Sequence, residues 1–111
     1  MGALPYTLLA GQLAEDLNQP PMLPLRVELS PVYPNPFNAR LHISFLLPET
    51  APVAIVAYDI SGRLVARLLS GQQPAGMSEV SWDASEMPAG VYLVKMETPG
   101  YSAVERALLL K

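Results

Sequence analysis

The chain contains no cysteine, which excludes disulfides, thiolate nucleophiles and the sulfur-rich ligand sets of structural zinc sites. It holds a single histidine, His42. That residue lies on the polar side of an alternating stretch, with no second imidazole to complete a metal or nucleophile site, and reads as a surface histidine. Basic charge is also scarce: seven Lys and Arg stand against ten Asp and Glu, for a net charge of −3. This balance gives no basis for nucleic-acid binding or for a polybasic membrane patch. The longest apolar runs, such as residues 53–58 and 108–110, fall far short of the ~20 residues a transmembrane helix needs. Neither a G-x-G-x-x-G sequence nor a P-loop is present, and no alternating run of acids resembles an EF-hand loop. No carboxylate pair stands out for acid–base work, because Asp59 and Asp83 are accounted for by turns. Glu79, Glu97 and Glu105 fall on outward strand positions. The residues therefore indicate no enzyme class, no cofactor and no metal.

What is abundant is apolar material and turn formers. Half of the 111 residues are hydrophobic and only 15% are charged, enough for a core and against disorder. The length suits one domain, and twelve prolines with seven glycines favour short strands joined by tight loops over long helices. The expected class is all-β.

Residues 1–25 differ from the rest. Leu8, Leu9, Leu13 and Leu17 have loosely helical spacing before Pro20, Pro21 and Pro24 interrupt it, which reads as a linker or cargo-proximal segment with one helical turn. The start, Met1-Gly2-Ala3-Leu4, lacks the basic and apolar regions of a secretory signal, and the chain reads as a fragment of a larger protein. From residue 26 to residue 111 the pattern is that of strands. Val27 and Leu29 alternate, and then Leu41, Ile43, Phe45 and Leu47 share one face with His42 and Ser44 on the other. Residues 53–59 are apolar on both faces, as in a central strand with cover on each side.

The turns are chemically explicit. Asp59-Ile60-Ser61-Gly62 places Asp and Gly as a type I turn requires and should close a hairpin into residues 63–69. Pro74-Ala75-Gly76 and Pro88-Ala89-Gly90 each precede a strand, and Thr98-Pro99-Gly100-Tyr101 fits a type II turn feeding a last strand over 102–110. Asp83-Ala84-Ser85-Glu86 fits a capping box on one helical turn, with Glu86 reaching back. About seven strands result, in a two-sheet, Greek-key arrangement of immunoglobulin type. Alternation directs Val80 and Trp82, then Tyr92, Val94 and Met96, toward the core. It does not fix Tyr58 and Tyr101, and a flat stacking platform of Tyr58, Trp82, Tyr92 and Tyr101, as on a carbohydrate-binding module of an extracellular glycosidase, is the competing reading.

One segment is not generic turn chemistry: Tyr33-Pro34-Asn35-Pro36-Phe37-Asn38. Its two prolines cannot donate to a ladder, which predicts an extended cross-over with Phe37 closing one end of the core. It is followed in order by Tyr58-Asp59-Ile60-Ser61-Gly62-Arg63, by Val80-Ser81-Trp82-Asp83, and by Ala89-Gly90-Val91-Tyr92. The chain then ends Leu108-Leu109-Leu110-Lys111. Over residues 27–111 this order resembles the C-terminal sorting domain of the type IX (Por) secretion system, type A. It also resembles the immunoglobulin-like domain of flagellar hook-capping proteins, an assembly scaffold.

The resemblance implies an immunoglobulin-like module that directs an exported cargo, joined on its N-terminal side, through an outer-membrane translocon of Bacteroidetes-type bacteria and onto the cell surface. In some family members a surface sortase removes the domain; in others it stays. It further implies recognition features at Pro34, Asn35, Pro36, Phe37, Asp59, Gly62, Arg63, Gly90, Tyr92 and Lys111, with Lys111 as a natural end. Pairing of two copies through an exposed sheet edge is a further expectation.

Overall fold

The structure, a computed structural model, describes residues 26–111; the expected linker over residues 1–25 lies outside them. Seven strands follow one another: β1 (Glu28–Leu29), β2 (Arg40–Leu47), β3 (Ala51–Asp59), β4 (Leu64–Gln73), β5 (Gly76–Asp83), β6 (Gly90–Thr98) and β7 (Tyr101–Leu109). They form two antiparallel sheets, a three-stranded one in the order β1-β2-β5 and a four-stranded one in the order β4-β3-β6-β7. The chain crosses between sheets from β2 to β3, from β4 to β5 and from β5 to β6. The pairs β2–β5 and β3–β6 thereby face each other across the core as in an immunoglobulin-like Greek-key sandwich. No helix occurs among the described residues, and hence none long and apolar enough to cross a membrane.

Alternation in the sequence sets this arrangement. On β2, Leu41, Ile43, Phe45 and Leu47 are wholly buried, while Ser44 and His42 turn outward. Opposite them lie Val53, Ile55 and Ala57 of β3 and Tyr92, Val94 and Met96 of β6. Each large aliphatic or aromatic side chain removed from water in this way contributes about 1.5–3 kcal/mol. Trp82 of β5 packs against Tyr92 edge-on, with ring centroids 5.4 Å apart, and against Phe37 at 5.9 Å. Trp82 and Tyr92 are therefore spent on the core, and the sugar-platform reading loses both. Tyr101 is half-buried, and its hydroxyl accepts the Leu29 N–H at 3.1 Å, tying one sheet to the other.

Three expectations are corrected. Residues 53–59 do form an interior strand, but only one face is fully buried; Ala54, Val56 and Tyr58 are half-exposed, with one sheet behind them and none in front among the described residues. Glu105 is not outward. It is paired with buried Val94 and shares the inward side of β7 with Ala107 and Leu109, because the Thr98↔Tyr101 pairing fixes the strand's phase. Residues 83–86 make a turn without a helix: Asp83 is still paired in β5 with Arg40. Its carboxylate accepts the Ser85 N–H at 3.0 Å, and Met87 N–H closes on the Ala84 carbonyl at 2.9 Å. No return contact from Glu86 occurs among the described residues, since Asp83 is held in the ladder and is not a helix N-cap.

Candidate functional site

The signature residues come from blocks far apart in sequence, and the ladders carry them to one end of the sandwich. Asp59 at the end of β3 pairs with Tyr92 on β6, Gly90 pairs with Leu109 on β7, and Phe37 bridges to Leu109 in parallel. Lys111 reaches the same end, its ammonium donating to the Ser85 carbonyl at 2.7 Å.

The Pro-rich segment is the centre of the arrangement. Before it, Tyr33 still belongs to the three-stranded sheet, exchanging two backbone bonds with His42 of β2 at 3.1 and 2.7 Å. Both the Tyr33–Pro34 and Asn35–Pro36 peptide bonds are cis. Phe37 has changed sheets: its N–H donates to the Leu108 carbonyl and its carbonyl accepts the Leu110 N–H, both at 2.8 Å. Between them Asn35 acts as a short piece of strand, because its amide donates to the Arg106 carbonyl at 2.8 Å and accepts the Leu108 N–H at 3.1 Å. The exposed edge of β7 from Arg106 onward is thus closed by a segment that has no N–H to offer at either proline. Phe37, 1% exposed, plugs the core below.

The second block forms a tight hairpin loop. Gly62 N–H donates to the Asp59 carbonyl and Asp59 N–H to the Arg63 carbonyl, both at 2.9 Å. Gly62 sits at φ 90°, where a side chain would be strained, as a type I turn followed by a left-handed residue demands. The Asp59 carboxylate accepts the Ser61 N–H at 3.0 Å, its hydroxyl at 2.6 Å and the Arg63 N–H at 3.0 Å, and pairs with the Arg63 guanidinium at 3.2 Å. The Ser61 hydroxyl above all, with the Arg63 N–H next, holds this carboxyl below the usual carboxylate range. The third block is also structural at its tyrosine: the Tyr92 hydroxyl donates to the Pro88 carbonyl at 2.6 Å, a corner bond that locks the loop into β6.

The ten expected residues therefore divide. Phe37 and Tyr92 are buried and, with half-buried Asp59 and Gly90 and the exposed turn residue Gly62, build the end of the sandwich, whereas the side chains of Pro34, Asn35, Pro36, Arg63 and Lys111 are exposed on it. Sequence reasoning missed the apolar residues that accompany them at the surface, Ile60 at 73% and Leu110 at 49% exposure, and Leu108 beside Asn35. Their only signal was an apolar type at a turn tip or on the outer phase of the last strand. Among the described residues no cluster of three or more His, Asp or Glu gathers in metal-binding proximity.

A family model described as the secretion system C-terminal sorting domain matches residues 31–110. The chain belongs to this family. The match opens just before the Pro-rich segment and closes at the end of β7, so it spans both partners of the contact described above. Among curated proteins, none matches the chain. The sorting domain is a signal for export by the type IX secretion system, and its family is a secretion signal rather than a catalytic one. The engagement of that machinery, a cargo on the N-terminal side and an exported or surface fate follow from membership.

Proposed function

We propose that this sorting domain is the address of a longer exported protein. Residues 26–111 form the module, and residues 1–25 link it to a cargo on its N-terminal side. It performs no catalysis of its own. An outer-membrane translocon component reads the exposed residues at the signature end: Pro34, Asn35 and Pro36, the Arg63 turn with Ile60, and Leu110 with Lys111. The buried members of the signature keep that end in shape. A surface sortase, where one acts, cuts in the linker, and the cargo is delivered to the surface of a Gram-negative, Bacteroidetes-type bacterium. The observation that carries the reading is that the family match, residues 31–110, takes in both the Pro-rich segment and β7, which the Asn35–Phe37 clasp joins at the end of the fold where the exposed signature residues gather. β7 is an edge strand, and the inward carboxylate of Glu105 on its unclasped half weighs against pairing with a second copy there.

The test is capture. The full chain, immobilised through its N-terminus, should retain the translocon from solubilised outer membranes of a type IX-competent strain and release it to free chain. The Arg63→Glu, Lys111→Glu variant should retain far less while remaining folded by circular dichroism, its melting temperature lowered only by the loss of the exposed Asp59–Arg63 and Lys111–Ser85 contacts. Equal retention by the variant would remove these residues from the contact, and no specific retention by the wild type would remove the reading.

A further inference from the structure

The overall charge of −3 conceals a segregation between the two outer faces. On the three-stranded sheet the outward charges are Glu28, Glu79 and Asp83 against Arg40, a net of −2 with His42 neutral. On the four-stranded sheet they are Arg67, Lys95 and Arg106 against Glu97, a net of +2. The acids of the first face are largely engaged: Asp83 with Arg40 at 3.7 Å, and Glu79 with Tyr33, with Ser44 at 3.4 Å and with His42 at 3.9 Å. On the second face Lys95 pairs with Glu97 at 3.2 Å, whereas Arg67 and Arg106 make no ion pair among the described residues.

The cross-strand register arranges these charges around an apolar field. One row reads Arg67, Val56, Lys95, Val104; the next reads Leu64, Tyr58, Leu93, Arg106. The two unpaired arginines thus stand at opposite edges of the sheet, with Val56, Tyr58 and Leu93 and the mutually neutralised Lys95–Glu97 pair between them. Beyond β7 the field runs into a depression of about 370 Å³ lined by Asn35, Pro36, Val91, Arg106 and Leu108, where the signature segment meets the outer face. Tyrosine and aliphatic residues at the centre with arginine at the rim match the composition of a protein–protein interface.

We infer that the outer face of the four-stranded sheet, from Arg67 across Tyr58 to Arg106 and Pro36, is the docking surface for a protein partner whose own surface is apolar at its centre and carries carboxylates at its margins. This rests on the sorting reading and names the chemistry of the partner it requires. Charge complementarity selects the acidic partner. A bilayer fits less well, because Val56, Tyr58 and Leu93 lie half-buried among their sheet neighbours and do not protrude as an inserting side chain must. A second copy fits less well because two of the three acids of its opposite face, Asp83 and Glu79, are already engaged, which leaves Glu28 alone to meet both arginines.

The test replaces both arginines in the full chain fused behind a reporter, as Arg67→Glu with Arg106→Glu. Surface delivery in a type IX-competent strain should fall about tenfold or more, the equivalent of one interfacial charge contact. The melting temperature should stay unchanged, and Arg67→Lys with Arg106→Lys should largely restore delivery. Glu28→Lys on the other face should deliver normally. Undiminished delivery by the Glu variant, with the wild type exported, overturns this surface and leaves the sorting reading intact. A wild type that is not exported overturns the sorting reading itself. Two further outcomes overturn the inference by naming another occupant. One is sedimentation of the purified chain with equimolar phosphatidylcholine–phosphatidylglycerol vesicles, lost in the Glu variant. The other is a concentration-dependent dimer in sedimentation velocity, lost in the same variant.

Discussion

Asn35 is hydrogen-bonded through both ends of its side-chain amide to the last strand, to the N–H of Leu108 at 3.1 Å and the carbonyl of Arg106 at 2.8 Å. One side chain takes the place of a backbone unit between two prolines that cannot supply one. Replacing it by alanine removes two exposed hydrogen bonds and should cost about 1–2 kcal/mol in urea denaturation. The amide of Leu108 should exchange with solvent faster, while the amides of β3 and β6 keep their protection. A loss of protection across the whole molecule would contradict a local clasp.

Phe37 works from the other side of the same segment, with its ring 5.9 Å from Trp82 and its surface almost wholly removed from water. Phe37→Ala should lower stability by about 3–5 kcal/mol, a loss on the scale of the whole stability of some domains. Phe37→Leu should retain most of it. Thermal denaturation of the two variants side by side separates a buried plug from an exposed recognition residue, for which both changes would leave the melting temperature alone.

Acid should loosen the loops before it loosens the core. Asp59 is held below its ordinary range chiefly by the Ser61 hydroxyl, and Asp83 by the Ser85 N–H and then its hydroxyl. A carboxylate whose pKa is depressed by folding stabilises the native state above its unfolded value, near 3.9, and loses that contribution as pH falls through the folded value. The melting temperature should therefore decline below about pH 4, and Asp59→Asn with Asp83→Asn should flatten that decline while lowering the plateau near neutrality. Parallel curves for the two proteins would show that other groups govern the acid limb.

Ala39 carries the one left-handed backbone among the described non-glycine residues, at φ 73°. Arg40 N–H closes on the Asn38 carbonyl at 2.9 Å, a tight γ-type turn that aims the Ala39 carbonyl at the N–H of buried Ala84, 2.6 Å away. Glycine would relieve the steric cost of about 1–2 kcal/mol at a smaller entropic loss, so Ala39→Gly should stabilise by roughly 0.5–1 kcal/mol. A destabilised variant would show that the turn is not strained in solution.

The layout of the sandwich was legible wherever alternation is unambiguous, and less so elsewhere. Leu41, Ile43, Phe45 and Leu47 admit a single phase, as do Tyr92, Val94 and Met96, and turn residues delimit both strands. The last strand is different, because three successive leucines at 108–110 fit either phase. The register that turns Glu105 inward is imposed by the Tyr101 hairpin and by Phe37 across the edge. Asn35 was recognisable as a signature residue but not as a clasp, since its partners lie 71 and 73 residues away. The cationic outer face was hidden by the same non-locality. Arg67 reaches its row only through a shift in the β3–β4 ladder between Ile55 and Val56, which no local pattern announces.

Delivery is the most direct measure of a sorting role. A reporter carrying the full chain at its C-terminus should appear on the surface of a type IX-competent bacterium, remain inside a secretion-deficient mutant, and lose surface delivery when residues 102–111 are deleted. Equal retention inside both strains, or equal delivery from both, would contradict a sorting role.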